Sequence, residues 1–233
     1  MYVQDNFITD LNLIEAIKQN DTFFPPTMDT FEDRGSLGDY RGQQYHSEEA
    51  SCFAPYMFWD GWWNSPADTL KKKVIQAIWE HPDKRDFNLE DVIGFEYWTR
   101  TFVPPQYLPH HVDEDTFQYA YDKTFNAPIS GCIWYGFTES DEGGMLEIHR
   151  PRIEGSPPEV LETDHVSTYL SPPDERERIA YKPNRLIIFD AGRRFHETTV
   201  VKSGTRQVMV VNVWHKDNPP MALSTGEFYS EST

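Results

Sequence analysis

Two periodicities divide the chain near residue 92. Between Asp10 and Asn20, Leu11, Leu13, Ile14, Ala16 and Ile17 recur at near-helical spacing, with Thr9 or Asp10 available as the cap. A second helix is predicted where Ser65 caps, Pro66 takes the first turn, and Leu70, Val74, Ile75, Ala77, Ile78 and Trp79 follow before Pro82 stops it. The intervening residues 24–64 are rich in Pro, Gly and aromatics and read as a packed loop. Their stretch Cys52 to Trp63 either fills the core or walls a pocket.

Beyond residue 92 the period shortens to that of strands. Val92–Val103, Ile129–Phe137, Gly144–His149, Arg185–Phe189, Thr198–Val201 and Arg206–Trp214 are runs of β-branched and aromatic residues separated by Gly, Pro, Asp and Ser, the texture of a sandwich or barrel. Residues 150–178, with Pro151, Pro157, Pro158, Pro172 and Pro173, read as a loop-rich insertion, and residues after Asn218 as a tail laid over the surface. No repeat or boundary splits the chain, so one domain over 1–233 is expected: a helical and aromatic support region (1–91), a β-rich core (92–216) and the tail (217–233).

Composition narrows the partners. Aromatics make up 15% of the 233 residues, which excludes bulk disorder. A net charge of −17 opposes a surface built to neutralise phosphates, so no nucleic acid is expected as partner. The one concentrated basic run, Lys71-Lys72-Lys73, reads as the exposed face of the second helix. Two cysteines, Cys52 and Cys132, form no CxxC pair, which fits a reducing compartment and excludes a cysteine-built zinc site. No basic, then apolar, leader opens the sequence and no apolar run is long enough to span a bilayer, so a cytoplasmic protein with no membrane partner is expected.

Candidate chemistry begins at Pro109-His110-His111-Val112-Asp113. In an extended strand, residues i and i+2 share a face, so His111 and Asp113 can offer an imidazole and a carboxylate to one metal while Val112 points away. His-x-Asp needs a third ligand, and His196, just after the apolar run Leu186–Phe189, offers it. Two histidines with one carboxylate make a facial triad with open coordination positions, a set suited to Fe(II) oxygen chemistry. Ten residues on, past the Lys202-Ser203-Gly204 turn, Arg206 can reach the same cavity, where a buried guanidinium calls for a carboxylate.

In order, His111-Val112-Asp113, Gly131-Cys132-Ile133-Trp134-Tyr135, Gly143-Gly144-Met145-Leu146, Pro183-Asn184-Arg185-Leu186-Ile187-Ile188-Phe189-Asp190, His196 and Arg206 resemble the Fe(II)/2-oxoglutarate-dependent oxygenases, nearest the prolyl-4-hydroxylase-like branch. The resemblance covers roughly half the chain. It implies a mainly β fold with flanking helices, a double-stranded β-helix (jelly roll, cupin-like). It implies His111, Asp113 and His196 as iron ligands, Arg206 as the salt-bridge partner of the distal carboxylate of 2-oxoglutarate, and Tyr135 on that same carboxylate. The implied reaction consumes O₂ and 2-oxoglutarate and yields succinate and CO₂, with ascorbate as a possible reductant. Asp113, absent from the related halogenases, points to hydroxylation. Gly136-Phe137 stands where the family often continues Leu-Asn, and the first ninety residues match nothing in it.

Competing assignments stay in view. His110 is the alternative ligand in a shifted register; His149, His165 and His215 read as surface or core histidines; Asp190 reads as a turn former, and Gly143-Gly144 as a hairpin turn. Prolyl residues of a basic or neutral peptide lead as substrate, with free amino acids or other small molecules as the alternative. The alternatives in other classes are a non-catalytic jelly-roll binding protein with a vestigial metal site, and a cupin-like enzyme using iron or manganese without 2-oxoglutarate, which leaves Arg206 unexplained.

Overall fold

The computed structural model describes residues 1–24, 52–53, 57–139, 142–149, 160–161, 168–169 and 176–226. Along the chain these form β1 (Tyr2–Gln4), α1 (Leu11–Lys18), β2 (Cys52–Phe53), β3 (Met57–Trp59), α2 (Leu70–Trp79), β4 (Val92–Phe102), β5 (Leu108–His111), α3 (Thr116–Asp122), β6 (Ser130–Tyr135), β7 (Glu142–Gly143), β8 (Leu146–His149), β9 (Val160–Leu161), β10 (Thr168–Tyr169), β11 (Arg176–Ile179), β12 (Leu186–Phe189), β13 (His196–Thr198), β14 (Val201–Ser203), β15 (Arg206–His215) and α4 (Met221–Thr225). Mainly β with flanking helices is the class that the strand texture predicts.

A seven-stranded antiparallel sheet runs β1-β12-β6-β15-β4-β2, with β3 also on β4, and a four-stranded one runs β11-β8-β13-β5. Side chains alternate across the larger sheet, and its two faces bury different partners. On one face Phe95, Tyr97, Cys132, Trp134, Ile188, Met209, Val211 and Val213 meet Ile17 of α1 and Val74, Ile75, Ile78 and Trp79 of α2. On the other, Phe102, Ile133, Tyr135, Ile187, Phe189 and Val208 meet Leu146, Ile148 and Ile179 of the smaller sheet. The sheets therefore enclose an interior whose walls are the inward positions of β4, β6, β12 and β15.

Local chemistry sets the helix boundaries. Asp10 caps α1, its Oδ1 accepting from the Asn12 N–H at 2.9 Å. α2 begins at Leu70 with Thr69 as its cap, four residues later than the sequence predicts. Ser65 is engaged elsewhere: its hydroxyl accepts from the Trp59 indole at 2.7 Å and bonds Asp60. The lysine run on α2 is not uniformly exposed. Lys71 is buried with its ammonium 5.8 Å from the Phe23 ring centroid, Lys72 pairs with Asp68 at 2.7 Å, and Lys73 faces solvent.

The aromatic stretch divides between the two readings. Met57 and Trp59 enter the helix-side core, and Trp62 stacks on Phe95 with ring centroids 5.7 Å apart. Phe58 is registered opposite Glu96 and takes the interior-facing alternation. Two departures from the predicted strands are instructive. Arg176–Ile179, placed in the insertion, pairs with β8 because its arginines alternate outward onto Glu147 rather than forming an apolar run. β13 starts at His196, ahead of the predicted Thr198–Val201, and Val201 opens the separate strand β14. Within the insertion β9 and β10 pair antiparallel, while residues 150–159, 162–167 and 170–175 and the tail beyond residue 226 lie outside the described residues, as do residues 25–51 and 54–56 of the aromatic segment. Asn184 holds the chain start onto the larger sheet, its carboxamide bonding the backbone of Ile8 in both directions at 3.0 and 2.9 Å.

Candidate metal centre

β5 and β13 are neighbours in the smaller sheet, with His196 registered opposite His111, so their side chains leave the sheet on one face. β5 ends at His111, and Asp113 follows outside it rather than on the extended strand predicted. A different device aims the carboxylate: the Asp113 N–H donates to the Ala191 carbonyl at 2.9 Å. Val112 turns away, as alternation requires, into a small cluster with Phe195 and Phe125.

Asp113 Oδ1 lies 3.5 Å from His111 Nε2 and 3.6 Å from His196 Nε2, and the imidazole centroids are 4.3 Å apart. One ligand atom from each of the three residues falls within 4.8 Å of the other two, the one such His/Cys/Asp/Glu group among the described residues. The His196 Nδ1 pairs with the Arg194 carbonyl at 3.0 Å; the carbonyl can only accept, so the proton is on Nδ1 and the Nε2 lone pair faces the cluster. Phe189 packs edge-on against the same ring at 5.0 Å.

Burial, then the neighbouring His111 imidazole, pushes the His196 pKa down to about 4, so this ring is neutral at pH 7 and ready to ligate. For Asp113 burial pulls upward, but the hydrogen bond from His111 and the electrostatic pull of the His196 and His111 rings outweigh it, and the carboxyl sits below its usual range. A buried carboxylate held ionised beside two inward-facing imidazole nitrogens fits a divalent cation well.

Arg206 opens β15 on the interior face, 1% exposed, with its guanidinium 4.9 Å from both the Phe102 and the Tyr135 ring centroids. Its Nη2 donates to the Tyr135 hydroxyl at 3.4 Å, while Nε has no hydrogen-bond partner and no carboxylate among the described residues pairs with the group. A buried guanidinium calls for an anion, and a carboxylate fits the donors that Arg206 and Tyr135 offer. Gly144, in the left-handed region at φ +62°, makes the space: a Cβ there would stand 3.0 Å from Arg206 Cδ.

The other histidines fall elsewhere. His110 stacks on Phe195 at 4.9 Å, turned from the cluster, and His149 meets its far edge on the outer face beside Glu197. His215 accepts from the Asp217 N–H, and His165 lies outside the described residues. Asp190 accepts from the Arg194 N–H in a turn, as predicted. Asn212 is the site residue that sequence reasoning missed. It is buried on the interior face of β15, and its amide adds to the pull that keeps the Asp113 carboxyl below its usual range. The available signal was an amide within the apolar run Val208–Trp214.

No family profile matches the sequence, and neither does any curated protein. Solved structures do match. A prolyl-4-hydroxylase of Pseudomonas putida aligns over 92% of this chain and 92% of its own, with TM-score 0.51 and 13% identity. A Trichoplax adhaerens prolyl hydroxylase bound to a peptide of the hypoxia inducible factor oxygen degradation domain aligns over 96% and 86%, with TM-score 0.49 and 10% identity. The collagen prolyl hydroxylase of Paramecium bursaria Chlorella virus-1, in complex with 2OG, aligns over 91% and 93%, with TM-score 0.40 and 15% identity. The fold of this chain is thus similar to that of the Pseudomonas putida prolyl-4-hydroxylase along nearly its whole length.

Proposed function

We propose that the protein is an Fe(II)- and 2-oxoglutarate-dependent dioxygenase that hydroxylates an unactivated C–H, with a prolyl residue of a peptide as the leading substrate and 1–233 acting as one oxygenase domain. The observation that carries this reading is the convergence of His111, Asp113 and His196 within 4.8 Å, with His196 already oriented and neutral. His111, Asp113 and His196 hold the iron, and three protein ligands leave positions for the cosubstrate and O₂. Arg206 takes the distal carboxylate of 2-oxoglutarate, and the Tyr135 hydroxyl, already within reach of the guanidinium, shares it. The Phe102 and Tyr135 rings flank this pair and keep water from it, which strengthens the ion pair.

With both groups bound, the iron and cosubstrate supply an oxidation that turns 2-oxoglutarate into succinate and CO₂ and hydroxylates the substrate. The chain's own task is to hold the metal and the far carboxylate of the cosubstrate and to present one C–H bond to the metal. Fold likeness to a prolyl-4-hydroxylase supports the prolyl choice, and a net charge of −17 favours a neutral or basic peptide.

The test is anaerobic titration of the metal-stripped protein with Fe(II) and then 2-oxoglutarate, followed by succinate release across peptide and amino-acid panels with ascorbate supplied. A visible band that needs both additions, and succinate release stimulated by prolyl peptides, are expected. Absence of the band overturns the oxygenase reading. The band with stimulation by free amino acids alone keeps the class and overturns the substrate.

A further inference from the structure

A second tyrosine backs the pair formed by Arg206 and Tyr135. Tyr181, 9% exposed, lies between β11 and β12 and joins the core enclosed by the two sheets. Its ring packs on that of Tyr135, with centroids 4.7 Å apart and planes tilted by 40°. Its hydroxyl donates to the Thr138 carbonyl at 2.9 Å, and the Thr138 hydroxyl stands 3.0 Å from the same oxygen. A phenol has one proton to give; with that proton on the carbonyl, the Thr138 hydroxyl is the donor in the second bond. Tyr181 therefore has no hydrogen left for a carboxylate. The Tyr135 hydroxyl is placed differently. Among the described residues it meets Arg206 Nη2 alone, at 3.4 Å, so packing of its ring sets its direction. The Thr205 N–H, one residue before Arg206, donates to the Glu139 carbonyl at 3.1 Å, one residue past Thr138. Backbone and phenol thus tie the chain after β6 to the chain before β12 and to the start of β15.

We infer that Tyr181 is a positioning residue for the cosubstrate site: pinned at its hydroxyl by Thr138, its ring backs the Tyr135 ring and fixes where the Tyr135 hydroxyl meets the Arg206 guanidinium. The inference rests on the reading of Arg206 and Tyr135 as holders of the distal carboxylate of 2-oxoglutarate. A carboxylate shared by two donors is held well only when both stand at the right separation, so a ring free to tilt weakens the grip even with both donors present. A residue that served cohesion alone would change stability and leave the affinity for the cosubstrate as it is.

The experiment titrates 2-oxoglutarate into the full chain loaded with Fe(II) under anaerobic conditions and reads the dissociation constant from the visible band. Wild type is compared with Tyr181→Leu, with Tyr181→Phe, and with Tyr181→Leu in a Tyr135→Phe background. Tyr181→Leu should bind 2-oxoglutarate about 3–10-fold more weakly, the range that one aromatic pair supplies. Tyr181→Phe, which keeps the ring and loses its anchor, should fall between the two. In the Tyr135→Phe background no hydroxyl remains to be placed. There Tyr181→Leu should add less than about twofold, a non-additivity that mere loss of packing does not produce. Co(II) affinity, followed by its visible d–d bands, should be the same in the Tyr181 variants as in wild type. Affinity for 2-oxoglutarate within about twofold of wild type in Tyr181→Leu overturns the inference while leaving the site of Arg206 standing. So does an equal loss with and without the Tyr135 hydroxyl, and so does loss of the native near-UV circular dichroism in both Tyr181 variants, since Tyr181 then serves the fold. A wild type without the band, or an Arg206→Met variant that binds 2-oxoglutarate equally well, overturns the reading of the cosubstrate site and this inference with it.

Discussion

The two faces of the seven-stranded sheet are made from the same strands and differ in what they bury. Helix-side positions of β6, β12 and β15 carry Cys132, Trp134, Leu186, Ile188, Met209, Val211 and Val213, an apolar surface closed by two amphipathic helices. The interior positions of the sheet mix Ile133, Ile187 and Val208 with Glu96, Arg100, Arg206 and Asn212, all 4% exposed or less. Burying apolar area stabilises a chain with little demand on geometry, whereas a buried charge or amide is tolerated only where its partner is placed. Period-2 alternation thus lets one strand serve cohesion on one side and chemistry on the other, and substitutions one residue apart should fail in different ways.

The largest contrast is expected between His196→Ala and its neighbours in the helix-side core. Removing this imidazole should reduce substrate-dependent succinate release to background and abolish Co(II) binding, with the fold intact by circular dichroism. Retained turnover at normal iron content would remove His196 from the centre. Trp134→Ala, on the apolar face, should cost about 3–5 kcal/mol in denaturant unfolding, as large-to-small core changes do. It should leave the KM for 2-oxoglutarate of the folded enzyme near wild type; a KM change as large as that of an interior variant would mean that the faces are not independent.

Arg206→Met should invert that behaviour. Loss of a buried charge partner should raise the KM for 2-oxoglutarate at least ~30-fold, about 2 kcal/mol or more. With no cosubstrate present, stability should hold or rise, because an uncompensated buried guanidinium has been removed. A stability loss matching that of Trp134→Ala would show that Arg206 is structural. A smaller effect is expected from pH. His196 has a folded pKa of about 4 against an ordinary 6.5, so its contribution to the stability of metal-free protein is complete above pH ~6.5 and is lost as pH falls toward 4. The loss is on the order of 3 kcal/mol, and His196→Gln should flatten that part of the unfolding profile. An unchanged slope would mean that another group governs it.

The sequence carried more of the site than of the strand boundaries around it. His111, Asp113 and His196 are legible because chemistry restricts their residue types and spacing, and the structure brings all three together. The route was less legible. Strand alternation pairs His111 with Asp113 in the sequence, yet the strand stops at His111 and a bond to Ala191 does the aiming. Short strands with arginines at alternate positions, such as Arg176–Ile179, escape an apolar pattern because ion pairs to Glu147 replace hydrophobic burial. Ser65 was plausible as a cap until the Trp59 indole and Asp60, partners fixed by tertiary contact, claimed its hydroxyl. Asn212 is legible only as an amide inside an apolar run; that it faces the interior between Gly131 of β6 and Glu96 of β4 is revealed by folding alone.

One rung of the smaller sheet has a consequence for the protein's lifetime in the cell. His111 and His196 face each other across β5 and β13 at a β-bulge, where the ladder loses regularity. An ion clamped between them fastens two strands that backbone pairing holds poorly there. At a hundredfold excess over its dissociation constant it adds about 2.7 kcal/mol to the folded state. If the centre holds iron as proposed, iron starvation should also loosen the edge of the smaller sheet and expose it to proteases, so that abundance tracks iron supply. Limited proteolysis with and without Co(II) reads this directly: cleavage near β5 and β13 should slow on loading, and equal rates would show that the rung stands without the ion.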